Sequence, residues 1–181
     1  MSSLGGGAWF GGGAFYPYKI NSSAHFYRSN SDYMNLTPSA GNRKTWTYSV
    51  WIKRAHLSSD MDLFTAAGSG AQLFACMITD ADRIQVYGVD QVLLLTTQRL
   101  RDVSAWYHIV FRSDNTQAAA ANRLKVYING SEVTAFETDN RANYAQNTDY
   151  GVNSAVAHHI GANQTPGNYW DGHMAEINFT D

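Results

Sequence analysis

Between Thr45 and Arg54 the chain sets Trp46, Tyr48, Val50 and Ile52 at every second position, with Thr45, Thr47, Ser49 and Lys53 between them. A period of two sends alternate side chains to opposite sides of an extended backbone, so this segment reads as a strand with one face in a core. Trp51 alone breaks the polar set. Residues 123–129 repeat the pattern, with Leu124, Val126 and Ile128 facing one way and Arg123, Lys125 and Tyr127 the other. Asn129-Gly130 then supplies the two φ > 0 positions of a type I′ hairpin, and residues 132–136 are the expected return strand. Residues 106–112 place Tyr107, Ile109 and Phe111 on one side. Residues 172–180 set His173, Ala175, Ile177 and Phe179 opposite Met174, Glu176, Asn178 and Thr180.

Shorter strand runs fill the middle, at 62–66, 72–79, 83–87 and 91–97. Leu73-Phe74-Ala75-Cys76-Met77-Ile78 is apolar on both faces, which suits a central strand covered on both sides. Asp80-Ala81-Asp82 and Gly88-Val89-Asp90 mark turns. Helical periodicity is nearly absent. Many short strands at this spacing predict an all-β, antiparallel β-sandwich of jelly-roll type. One polar stretch, residues 137–155, reads as a long loop of the kind that often carries function.

Residues 1–18 differ from the rest. Gly5-Gly6-Gly7 and Gly11-Gly12-Gly13 alternate with Trp9, Phe10, Phe15 and Tyr16. Gly-rich chains are flexible, and aromatics on such a chain suggest docking onto another protein. The expected organisation is a docking arm over 1–18 and a sandwich over 19–181. No basic and apolar leader pattern and no run of ~20 apolar residues is visible, so folding in a cytoplasm and no membrane span are expected. The formal charge of −2 over 181 residues lacks the basic stripe that nucleic acid attracts. A lone cysteine, Cys76, sits in an apolar run and reads as a buried structural thiol.

Thr45 to Arg54 resembles the early strand of concanavalin A-like, laminin G-like lectin domains. Trp106-Tyr107-His108-Ile109-Val110-Phe111, the hairpin Leu124-Lys125-Val126-Tyr127-Ile128-Asn129-Gly130, His159-Ile160-Gly161 and Tyr169-Trp170-Asp171-Gly172-His173-Met174-Ala175-Glu176-Ile177 resemble later strands of the same domains, in the same order. Residues 33–46 and 174–181 further resemble tail and appendage proteins of bacterial viruses. That resemblance implies a virion structural protein, assembled in the bacterial cytoplasm. Its arm would dock it to other tail proteins, and its sandwich would pack with copies of itself or bind host-surface glycan. The other reading is a carbohydrate-binding module of a bacterial surface or secreted protein.

Retaining glucanases on this fold need two carboxylates ~5 Å apart. Glu176-Ile177-Asn178-Phe179-Thr180-Asp181 echoes their strand motif, yet Asn178 and Thr180 stand where acids are needed, so no catalytic residue is assigned. The six histidines show no zinc spacing. Calcium takes carboxylate and amide oxygens. The resemblance implies a calcium site near the sandwich rim, for which Asp139, Asp149 and Asp171 are candidates. Asp171-Gly172 reads first as a plain turn. No other cofactor is expected. Glycan binding needs aromatic faces beside amide and carboxylate groups. Tyr144, Asn147, Asp149 and Tyr150 in one loop and Asn168, Tyr169 and Trp170 in another offer that chemistry, although Tyr169 and Trp170 read equally well as closing the core edge.

Overall fold

A computed structural model describes residues 20–68 and 72–181. Its strands are β1 (Ala24–Phe26), β2 (Met34–Leu36), β3 (Thr45–Arg54), β4 (Met61–Ala67), β5 (Leu73–Ile78), β6 (Arg83–Gly88), β7 (Gln91–Arg99), β8 (Tyr107–Asp114), β9 (Leu124–Ile128), β10 (Ser131–Glu132), β11 (Phe136–Asp139), β12 (His158–Ile160) and β13 (Gly172–Thr180). They build two antiparallel sheets, one ordered β1-β13-β3-β8-β9-β10 and the other β11-β7-β6-β5-β4-β12-β2. Among the described residues no helix is long and apolar enough to cross a membrane. The expected docking residues Trp9, Phe10, Phe15 and Tyr16 lie outside the described residues.

Alternation in β3 becomes burial: every second residue from Trp46 to Arg54 is buried. The Trp46 ring meets Phe74 edge-on at 5.1 Å, and Tyr48 stacks on Phe64 at 4.8 Å, joining the two sheets. Such aromatic pairs add about 0.5–1.5 kcal/mol beyond the area they bury. Arg54 inherits the inward parity, so its side chain is fully buried. Its charge is met by Asp82 at 3.0 Å and by the Leu100 carbonyl at 2.5 Å. β5 lies at the centre of its sheet, and five of its six residues are buried, as the two-sided apolar run requires. Cys76 is buried and unpaired.

Asn129 (φ 52°) and Gly130 (φ 81°) form the expected hairpin turn. The return strand is shorter than expected. Ser131–Glu132 forms the ladder with β9, and Phe136–Asp139 crosses to pair with β7 in the other sheet. The Val133 N–H still donates to the Val126 carbonyl of β9 at 2.9 Å, and past it the chain leaves the first sheet, with Val133 and Phe136 packed against the core.

β13 departs from strict alternation. Met174 pairs with Ile52 and Ala175 with Trp51, but the ladder then shifts so that Asn178 pairs with Ser49 and Phe179 with Tyr48. A bulge at Glu176, whose φ is 49°, inserts one residue and exchanges the two faces. Phe179 therefore faces inward with Tyr48, on the same side as Met174 rather than opposite it.

Residues 137–155 are not a free loop. They include all of β11 but its first residue and a short 3-10 turn, Arg141–Asn143, and they send Tyr144, Tyr150 and Val152 into the core.

Candidate functional site

β1 and β2 are edge strands of opposite sheets, joined by seven residues. Asp32 fixes this connection. Its Oδ2 accepts the Tyr27 N–H at 2.9 Å, while its own N–H donates to the Tyr27 carbonyl at 3.3 Å. Ser31 adopts the left-handed conformation, φ 60°, and donates its N–H to the Arg28 carbonyl at 3.0 Å. The Arg28 guanidinium donates to Ser59 Oγ, tying the turn to the loop after β3.

This turn encloses one side of a hollow of about 350 Å³, lined by His25, Phe26, Ser31, Asp32 and Tyr33 among others. That volume is within the range of small-molecule sites. Tyr27 is 48 % exposed and Tyr33 is 37 % exposed. The Tyr33 ring lies 5.4 Å from His159 and 6.2 Å from Tyr169. The Tyr169 hydroxyl donates to the Pro166 carbonyl at 3.1 Å, and His159 Nδ1 bonds the Asn163 carbonyl at 2.7 Å. The His25 ring stacks on His173 at 4.1 Å and lies tilted against Tyr27 at 4.0 Å. The result is a hollow beside aromatic rings whose lining residues include an acid, Asp32, a hydroxyl residue, Ser31, and an imidazole, His25.

The loop that carries Asn168 and Tyr169 is anchored by Asp62, whose N–H donates to the Asn168 carbonyl at 2.9 Å. Asp62 is buried, and burial pushes its carboxyl pKa up to about 7. Bonds from Thr65 and the Asn168 side chain oppose that rise, and the nearby Asp60 charge adds to it.

The glycan residues expected from sequence divide by burial. Tyr144 and Trp170 are 0 % exposed and Tyr150 is 4 % exposed, so none presents a ring face to a sugar. Tyr144 stacks on Tyr150 at 4.4 Å and bonds Ser113 through its hydroxyl at 3.0 Å. These three rings close the core. Asn147 and Asp149 are exposed beside them, with no aromatic face of that pair left to work with. Asn168 is exposed and Tyr169 half-buried, next to Tyr33. His25, Tyr27, Asp32 and Tyr33 are not among the site residues expected from sequence. Their signal there is a polar turn, Arg28-Ser29-Asn30-Ser31-Asp32, flanked by two tyrosines.

Asp139, Asp149 and Asp171 are not gathered into one calcium site. Asp139 pairs with Arg141 at 2.5 Å and Asp149 with Lys44 at 3.9 Å. Among the described residues no three His, Cys, Asp or Glu side chains are grouped as a metal would need. Glu176 is exposed at the bulge, and the Asp181 carboxylate accepts from the Asn42 N–H at 2.9 Å and Asn153 Nδ2 at 2.6 Å.

Solved structures with the same architecture include a proposed carbohydrate-binding protein from Bacteroides ovatus ATCC 8483. It is 17 % identical with a TM-score of 0.60, and the match covers 90 % of this chain and 44 % of that one. Domains LG4-5 of the mouse laminin alpha1 chain match at 10 % identity and a TM-score of 0.60, covering 89 % of this chain and 41 % of that one. The Ruminococcus gnavus IT-sialidase CBM40 matches at 14 % identity and a TM-score of 0.54, covering 82 % and 91 %. The chain thus spans less than half of the Bacteroides ovatus protein, and at these identities the likeness is one of fold. No curated protein sequence matches the chain. The family model described as the concanavalin A-like lectin/glucanases superfamily matches residues 28–181, and with the two-sheet sandwich in place the chain belongs to that superfamily.

Proposed function

We propose that this chain is a non-catalytic carbohydrate-binding module that takes a glycan in the hollow between β1 and β2. The observation that carries the reading is Tyr33, an exposed ring beside Tyr169 at the edge of a hollow containing Ser31, Asp32 and His25. A sugar offers an apolar C–H face and a ring of hydroxyls. Tyr33 supplies a surface for the first, and Asp32, Ser31 and His25 supply acceptors and donors for the second. Superfamily membership supports the reading, as does the occurrence of carbohydrate-binding modules among similarly folded structures.

A role in a virion appendage would use the same surface for host attachment, with residues 1–18 serving assembly. That half of the reading rests on the arm and on local sequence likeness. Glycan-array binding by the full chain tests the proposal. Binding to a defined glycan class, weakened tenfold or more by Tyr33→Ala (about 1.4 kcal/mol), is the expected result. Binding unchanged by Tyr33→Ala and Asp32→Ala, or no binding to any glycan, would overturn it.

A further inference from the structure

The sandwich is open along one side. β1 covers β13 only at Gly172–Met174, so the far half of β13 pairs with β3 alone among the described residues. In the facing sheet β2 is the edge strand, with Met34 44 % and Leu36 68 % exposed. Between these edges runs a groove of about 360 Å³, lined mainly by Met34, Leu36, Pro38, Phe64, Ile177 and Phe179. An apolar slot beside an unpaired strand edge has the form that accepts an added β-strand.

Which strand fits is written in the residues preceding β1. Phe26 is buried and Ala24 packs against the core, while His25 points outward. The same inward parity continues through Ser22, Ile20, Tyr18 and Tyr16, and the outward parity through Ser23, Asn21, Lys19 and Pro17. Apart from Ser22, the inward set is apolar or aromatic, and the outward set is polar as far as Lys19; Pro17, which has no N–H to donate, is compatible with an edge strand. Register agrees. Ala24 opposes Met174 in an antiparallel pair, so each step back along the chain moves one residue forward along β13. The bulge adds one residue to β13, which sets Asn21 opposite Asn178 and Ile20 opposite Phe179. Phe179 faces inward with Tyr48, matching the inward parity of Ile20. Ser22, the exception, falls beside the bulge, where the ladder is already broken.

β1 itself stops at Ala24, and Ile20 is the first residue described. We propose that the groove is the seat of the chain's own residues 16–23, which extend β1 along Asn178, Phe179 and Thr180 and insert Ile20 and Tyr18 between the sheets. From Tyr16 to Ile20 an extended chain covers about 13 Å, at ~3.3 Å per residue. The arm then divides in two. Residues 16–23 complete the sandwich, and the Gly-rich part with Trp9 and Phe10 remains for partners. This inference is independent of the glycan reading.

The test uses the full chain carrying Asn21→Cys and Asn178→Cys. Both positions are exposed and would be directly opposed, with the Cα separation a disulfide needs. Mild oxidation should give an intramolecular bond in a monomer, identified by mass after digestion, with buried Cys76 unmodified. Trypsin gives a second readout, because Lys19 is the sole Lys or Arg before Arg28. Cleavage at Lys19 should be slow and should become faster by on the order of tenfold in Ile20→Asp, through local opening of the docked strand. Failure to form the disulfide, a disulfide only between molecules, or equally fast cleavage at Lys19 in both proteins would overturn the proposal.

Discussion

Replacing Asp62 with asparagine should make the protein more stable at neutral pH and leave it unchanged in acid. Asp62 is 1 % exposed, and its carboxylate faces Thr65 Oγ1 at 3.1 Å and the Asn168 amide rather than a cation. Burial therefore favours the neutral acid, and the pKa rises from an ordinary 3.8 to about 7. Below pH 4 the group is protonated whether the chain is folded or not. Between about pH 4 and pH 7 the unfolded chain gives up the proton and the folded chain keeps it, so stability falls as pH rises. Each unit of difference is worth about 1.4 kcal/mol, giving a penalty of roughly 4 kcal/mol once the pH exceeds 7. The amide of Asp62→Asn would keep the shape and still accept from Thr65, without the penalty. Urea denaturation of both proteins from pH 4 to pH 8 measures the difference directly. The stability gap should be near zero at pH 4 and widen steadily to neutral pH. Acids with depressed pKa values, such as Asp82 and Asp139, are common to both proteins and cancel. A gap independent of pH, or a less stable variant at pH 8, would refute the reasoning.

Asp82→Asn should have the opposite character. Burial alone would raise the Asp82 pKa, but the Ser58 N–H, Arg101 and Arg54 outweigh it and hold the carboxyl below its ordinary range. Its contribution is present above the ordinary carboxylate pKa and is lost as pH falls through the folded value. Asparagine tolerates the φ of 62° at this position but leaves the Arg54 charge buried without a counter-charge, at a cost of about 3–5 kcal/mol at pH 7. Arg54→Met in the Asp82→Asn background should recover part of that loss, as urea denaturation would show. Trp170→Ala should cost about 3–5 kcal/mol by leaving a cavity. Tyr144→Phe should cost about 1 kcal/mol by removing the bond to Ser113. Neither should change glycan affinity when binding is measured on protein that remains folded.

Strand faces are legible in the sequence where a ladder runs without interruption. β3 and β9 keep strict alternation, and burial follows it residue by residue. β13 escapes that reading beyond Ala175 because a bulge is set by backbone geometry at Glu176, which no side-chain pattern announces. The burial of three of the glycan residues expected from sequence, Tyr144, Tyr150 and Trp170, escapes the sequence for a related reason. Tyr, Asn and Asp close together serve a sugar site or a core-closing loop equally well. Only the tertiary path decides that Tyr144 and Tyr150 stack on each other beneath the surface. Conversely, Tyr33 and Tyr169 lie 136 positions apart and are joined because β12 lies between β4 and β2, carrying His159 to Tyr33. Trp51 is visible as an exception to the polar face of β3, and it stacks on His108 at 4.9 Å on the outer surface of that sheet.

The central claim, that glycan is held between β1 and β2, is tested most directly by mapping backbone amide shifts on titration with a glycan that binds the array. The largest changes should fall at residues 25–34, with smaller ones at Asn168 and Tyr169, and should vanish in Tyr33→Ala. Changes confined to residues 137–155, or to the groove lined by Leu36 and Phe179, would contradict the account.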